Sequence, residues 1–181
     1  FRLKGQLPTA EDHYEQSRIF FQNQGWTLLA QDSLLGLCRA SAGRGDYSGS
    51  LRLLRQISNQ LQEMGANGRL WSVRAYQARV LFFQGDLSQV NAFTKAIAKQ
   101  HQNTSPIPSL YIEFWGLQHT VLPGASRITI LKDLQGRAQG RSLKDLSLYC
   151  HLALIYEFAR IQNWEEIDFH LQSSVGLLEQ T

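Results

Sequence analysis

LWSVRAYQARVLFFQGDLSQVNAFTKAIAK, residues 70–99, decides the fold of this chain. An apolar run from Leu70 to Phe83 breaks at Gln84-Gly85-Asp86, and a second helical segment continues from Leu87 to Lys99. At 100° per residue, Trp71, Ala75, Ala78 and Phe82 fall on one side of the first segment, and Val73, Tyr76, Val80 and Phe83 on another. Two apolar stripes on one helix require two packing partners, and an isolated hairpin offers one, so hairpins must stack. The break itself recurs. Gly5-Gln6-Leu7, Gly45-Asp46-Tyr47 and Gly85-Asp86-Leu87 stand 40 residues apart each time, with Gln162-Asn163-Trp164 as a degenerate copy. A break repeated at this spacing between helical segments marks a stacked helical-hairpin array.

Working outward, the first helix spans Leu7 to about Asn23, with Pro8 suited to its opening turn. Trp26–Ala42 and Tyr47–Met64 follow, the latter stepping Leu51, Leu54, Ile57, Leu61, Met64 by threes and fours. Gly65-Ala66-Asn67-Gly68 reads as the turn before the Leu70 helix. Pro106-Ile107-Pro108 reads as a loop, because proline breaks a helix interior. Leu110–Leu122 is then a helix, and Arg127 to about Gln139 another. Ile128-Thr129-Ile130 could suggest a strand, but the flanking periodicity favours helix. Ser142–Ile161, with Ser142 as N-cap, and Trp164–Glu179 complete the chain. The last helix has Ile167, Leu171, Val175 and Leu178 as its stripe. The expectation is an all-α solenoid of antiparallel helix pairs, about nine helices in one repeat domain over residues 1–181. Phe1-Arg2-Leu3-Lys4 reads like the tail of a helix, so a fragment of a longer protein is expected.

Hydrophobic content of 43% with 18% charged residues is ample for a core. The net charge of +3 is mild but unevenly spread. From Arg39 to Lys99 nine basic residues face only Asp46, Glu63 and Asp86, whereas from Asp145 onward six acids face Arg160 alone. Such polarity suits solvated helix faces or contact with an acidic partner. Cys38 and Cys150 sit in apolar helical stretches and read as buried thiols of a reducing compartment. No stretch has the length and apolarity of a signal peptide or a membrane span, and the expected location is the cytoplasm.

The alternation resembles the tetratricopeptide repeat. That pattern has a small residue in its first helix, here Cys38, Ala78, Gly116 and Ile155. An Asp or Asn before an aromatic at the second helix matches Asp46-Tyr47, Asp86-Leu87 and Asn163-Trp164. Ala10, Ser50, Val90 and Ile167 occupy the following small position and obey it only in part, and the period exceeds the usual 34. The resemblance implies a right-handed superhelix. Phrases such as WSVRAYQARVLFFQGDL and RITILKDLQGRAQGRSLKDLSLYCHLALIYEFARIQNWEEIDFHLQSSVGLLEQ are similar to the helical domain of MalT-like, LuxR-type ATP-dependent bacterial transcription regulators. That likeness implies a sensor domain that binds an inducer or regulatory protein and controls self-association. ATP and DNA binding would then belong to other segments.

No catalytic constellation is legible. The five histidines form neither an H-E-x-x-H pair nor a Cys/His cluster, so no metal site or cofactor is expected, and His151 reads as a hydrogen-bonded interior or groove residue. Gly43, Gly45 and Gly49 lack the strand and Lys-Ser/Thr of a phosphate loop, and no Gly-x-Ser-x-Gly elbow occurs. Arg44-Gly45-Asp46 spells an adhesion tripeptide but coincides with the repeat's own turn, and Asn103-Thr104-Ser105 is a sequon that matters only outside the cytosol. Direct nucleic-acid binding has no aromatic signature here.

What remains is a concave groove. The resemblance places Asp32 and Arg39 on its second helix, Ser72 and Arg79 on the fourth, and Glu113, Tyr149 and Tyr156 on later inner helices. Arg39 and Arg79 share a repeat position, seven residues beyond Asp32 and Ser72. Two planar guanidinium forks beside tyrosines suit a carboxylate, a phosphate or a polar small ligand. The competing expectation is that they only form groove salt bridges, Arg39 with Asp32 for example. The partner is a protein or peptide, or a small-molecule inducer.

Overall fold

The computed structural model describes residues 7–100, 106–118, 120 and 122–179. These form nine helices with no strand among the described residues: α1 Leu7–Asn23, α2 Thr27–Gly43, α3 Tyr47–Glu63, α4 Asn67–Gln84, α5 Leu87–Gln100, α6 Pro106–Leu117, α7 Gly124–Gln139, α8 Lys144–Arg160 and α9 Trp164–Glu179. Two compact units result, residues 1–109 and 110–181.

One turn is used over and over, and it explains the period. Gly25, Gly45, Gly65 and Gly85 all have positive φ, between 66° and 87°, and lie 20 residues apart. In the second unit Ser142 (φ 55°) and Gln162 (φ 56°) hold the same conformation, again 20 residues apart. After Gly45, Asp46 N–H donates to the Ser41 carbonyl at 3.0 Å while Gly45 N–H donates to Ala42 at 3.0 Å. The paired bonds recur at Gly25, Gly65, Ser142 and Gln162. They satisfy the carbonyls that a helix end leaves unpaired, which is what the left-handed residue makes possible. At three of these turns the residue after it caps the next helix through its side chain. Asp46 Oδ1 accepts from Gly49 N–H at 2.8 Å, Asp86 Oδ1 from Gln89 N–H at 3.0 Å and Asn163 Oδ1 from Glu166 N–H at 3.3 Å. The 40-residue motif is thus a helix stop followed directly by a helix start. Arg44-Gly45-Asp46 is that turn. Gly5-Gln6 falls outside the described residues.

The first unit packs α1 on α2, α2 on α3, α3 on α4 and α4 on α5. Its core is Leu34, Cys38, Leu51, Leu54, Ile57, Leu61, Val73, Val80 and Val90, with Ala10, Ser50 and Ala78 buried at their repeat positions. The buried Ser50 hydroxyl donates to the Cys38 carbonyl at 3.0 Å, tying α3 to α2. Both stripes of α4 are used as expected, apart from Phe83, which stays largely exposed. At Gly36 α1 approaches α2 so closely that a Cβ there would overlap the Tyr14 ring.

Several boundaries differ from the sequence expectation. Asn67 and Gly68 are already helical, because Ala66 is the N-cap and the turn needs only Met64 to Ala66. Pro106-Ile107-Pro108 is no loop. It forms the first turn of α6, where the N–H groups that proline lacks have no intrahelical acceptor anyway. That helix ends at Leu117 and not near Leu122. Ser142 is not the N-cap of α8. It takes the left-handed turn position, and Leu143 precedes the helix without a side-chain cap bond. Residues 128–130 are helical. The stripe assigned to α9 is also corrected: Ile167 is half-buried, but Leu171, Val175 and Leu178 face solvent, while His170 and Ser174 are buried.

Candidate functional site

Because α2 and α4 start and stop on the same turns, Arg39 and Arg79 occur at equal heights on neighbouring repeats, and the structure brings them to one aromatic ring. The Arg39 guanidinium carbon lies 5.5 Å from the Tyr76 ring centre and that of Arg79 5.7 Å from it. Arg79 is also 5.6 Å from the Phe83 ring. A guanidinium held on a ring face is attracted to the π-electrons and keeps its in-plane N–H donors for other acceptors. Around them Ala42, Gly43, Tyr47 and Val80 complete a pocket of about 400 Å³. Its walls combine two cations, two phenols and an apolar floor. That is the equipment for an anionic group attached to an apolar one.

The expected Arg39–Asp32 bridge is not formed. Asp32 pairs with Arg69 of α4 at 3.0 Å, and Arg69 also donates to the Leu28 carbonyl at 2.8 Å. No carboxylate among the described residues pairs with Arg39. Ser72 is exposed and its hydroxyl turns back toward the Gly68 carbonyl at 3.5 Å, so it takes no part in the pocket.

In the second unit the three proposed residues have different surroundings. Glu113 accepts from Arg137 at 2.7 Å, and Arg137 also meets Asp133 at 2.9 Å. These bonds hold the Arg137 guanidinium more firmly charged than usual. Tyr149 stacks on Phe114 with ring centres 6.0 Å apart and lies 5.4 Å from Trp115. Tyr156 is turned to solvent.

His151 is buried and hydrogen-bonded, as expected, but its partners and a second buried polar cluster around Glu157 were not foreseen. His151 and His170 face each other Nδ1 to Nδ1 at 2.8 Å, and Gln135 Nε2 stands 3.1 Å from His151 Nε2. One assignment of protons runs through all three contacts when the Gln135 amide N–H faces His151. Gln135 donates to His151 Nε2, His151 donates through Nδ1 to His170, and the remaining proton of His170 points from Nε2 toward Glu166, 3.6 Å away. Burial and the facing His170 push His151 down to about 4, and burial also lowers His170. Glu157, only 2% exposed, meets Arg127 at 2.9 Å and Arg160 at 3.3 Å, and Arg127 also donates to Gln118 at 3.0 Å. Only Gln31 and Gln60, bonded at 2.7 Å, lie nearly equidistant from their turn at Gly45; the two histidines do not from Gln162, so spacing alone did not pair them.

Cys38 and Cys150 are free thiols, both buried, and loss of hydration pushes each up to about 12, far from a thiolate at neutral pH. Among the described residues no group of three or more His, Cys, Asp or Glu is arranged to hold a metal ion, and no helix is long and apolar enough to cross a membrane.

No family model and no curated protein matches the sequence. Solved structures do. A protein of Podosopora anserina described as a kinesin light chain with nearly identical TPR-like repeats is similar at a TM-score of 0.58 with 14% identity, covering 99% of this chain and 90% of its own. A single-substitution form of that protein gives the same figures. At that identity the likeness concerns the fold, which is an all-α, tetratricopeptide-like repeat solenoid.

Proposed function

We propose that the chain is a non-catalytic interaction scaffold, one repeat domain over residues 1–181, whose groove holds a peptide segment of a partner protein. The binding centre is Arg39, Tyr76 and Arg79, and the preferred ligand group is a carboxylate next to an apolar side chain. The observation that carries this reading is the convergence of two repeat-related arginines on one tyrosine at the mouth of a 400 Å³ pocket, with Arg39 lacking a carboxylate partner among the described residues. The tetratricopeptide-like fold supports it, since stacked helical pairs offer extended binding surfaces. An array of short Asp- and Glu-containing peptides, each paired with its Asn or Gln counterpart, tests the proposal. Hits should require the carboxylate and be lost when Arg39 and Arg79 are both replaced by alanine with helical content unchanged. Hits that survive the double substitution would end it.

The narrower reading, a cytoplasmic sensor domain of a bacterial transcription regulator that binds a small-molecule inducer, rests on the sequence phrases alone. The same pocket would serve it. A thermal shift with small carboxylic acids or sugars, absent in the double variant, is its test.

A further inference from the structure

The pocket between α2 and α4 is charged to meet more than one carboxylate. Two arginines line it, and none of the described residues lining it is an aspartate or glutamate. Asp46 adjoins Tyr47 of the wall, but its carboxylate accepts from Gly49 N–H at 2.8 Å, and Asp32, further along α2, is held by Arg69 at 3.0 Å. The two helix ends beside the pocket are closed as well. Asp46 N–H donates to the Ser41 carbonyl at 3.0 Å, Gly45 N–H to that of Ala42 at 3.0 Å, and Gly85 N–H to that of Phe82 at 2.9 Å. An incoming anion therefore meets guanidinium N–H donors, with those three carbonyls, which would otherwise repel it, already engaged.

A carboxylate is fully answered by one guanidinium, whose fork holds both its oxygens. Arg39 and Arg79 both reach the Tyr76 ring, at 5.5 and 5.7 Å, and Arg39 is exposed, with room to turn toward an anion at Arg79. Filling both forks takes a group with nearly two charges and a further acceptor oxygen, which a phosphate monoester has at neutral pH. The rest of the wall says what carries the phosphate. Tyr47, Tyr76 and Phe83 present rings, and Ala42 and Val80 are aliphatic. An aryl group packs against such rings edge to face or offset. A serine phosphate stands so close to its backbone that it would drag peptide N–H and C=O groups against this apolar wall without partners. Resting on the peptide-groove reading above, we propose that phosphorylation of a partner's tyrosine regulates capture by this groove: the phosphate enters between Arg39 and Arg79, and its phenyl ring lies against Tyr47, Tyr76 and Phe83. Among unmodified side chains a carboxylate fits best; the phosphotyrosine adds the second charge and the ring.

The probes are synthetic peptides of one sequence, a central residue flanked by leucines, with tyrosine, phosphotyrosine, phosphoserine or glutamate at the centre. Fluorescence anisotropy against the full chain should show the phosphotyrosine peptide binding about tenfold or more tighter than the glutamate or phosphoserine peptide, with the tyrosine peptide weakest. Its affinity should fall with added salt. Phenyl phosphate should displace it at about a tenth or less of the concentration that inorganic phosphate needs. Replacing the exposed Arg39 by alanine should weaken the phosphotyrosine peptide about tenfold. Arg79→Lys, which keeps the charge and loses the fork, should weaken it too, and circular dichroism should be unchanged in both variants. Equal binding of the phosphotyrosine and glutamate peptides, both lost in the double alanine variant, would overturn this proposal and leave the groove reading standing. Binding of neither would end both. Indifference of the phosphotyrosine peptide to Arg39→Ala and Arg79→Lys, or displacement by inorganic phosphate as effective as by phenyl phosphate, would overturn the site proposed.

Discussion

Acidification should loosen the second unit through the buried histidine pair before the carboxylates begin to titrate. In the folded chain His151 titrates near 4, against 6.5 when hydrated, because burial and the facing His170 disfavour its cation. A second proton disrupts one of these hydrogen bonds wherever it binds. On His151 Nε2 it would face the Gln135 amide N–H, and on His170 Nδ1 it would face the His151 N–H. Glu166 favours a charged His170, while Lys132 on α7 opposes it, and Glu157 is already engaged by Arg127. Between the two values the unfolded chain binds more protons than the folded one, so stability rises with pH across that window. The histidine contribution is whole above about pH 7 and is lost as pH falls from 6.5 toward 4. For His151 alone the loss between pH 7.5 and pH 5 is about 2 kcal/mol, from one proton and the 2.5-unit separation of the two values. Urea unfolding followed by circular dichroism at several pH values, for the native chain and for His151→Gln, measures it. Subtracting the two curves cancels other titrating groups. Parallel stability curves for the two proteins between pH 7.5 and pH 5 would refute the argument.

Two further outcomes follow from the turns and the buried acid. Gln162→Gly should stabilise the chain by about 0.5–1 kcal/mol in urea, since glycine adopts positive φ without the strain of a Cβ, whereas Gly45→Ala in the equivalent turn should cost about 1 kcal/mol. A shift of the same sign for both would contradict the equivalence of the turns. Glu157→Ala should cost about 3–5 kcal/mol by leaving Arg127 without its charge partner, while Arg160→Ala, at a side chain 60% exposed, should cost under about 1 kcal/mol. The reverse order would mean that the buried pair is not what binds α7 to α8.

The groove residues were legible to different degrees. Arg39 and Arg79 could be related from the repeat register, because identical turns carry equal heights from one hairpin to the next. Asp32 could not be assigned a partner that way, since its partner Arg69 lies at the start of a helix the sequence reading began at Leu70. Glu113, Tyr149 and Tyr156 were placed by analogy to inner helices. Their surroundings depend on which neighbour reaches them, and Arg137 and Trp115 do so for reasons no local pattern expresses.

Periodicity and the recurrent Gly-Asp determined by themselves that this chain is helical, where most of its helices begin and end, and that hairpins stack. These are local properties, set by backbone conformations and hydrogen bonds within a few residues. Which side of each helix meets a neighbour was decided only in three dimensions. The Leu171, Val175 and Leu178 stripe has the pattern of a packing face, yet the buried positions are His170, which bonds His151 of α8, and Ser174, whose hydroxyl donates back to the His170 carbonyl. The hydrophobic effect is non-directional and only asks that a stripe be covered. Hydrogen-bond complementarity at His151 and His170 selects the face.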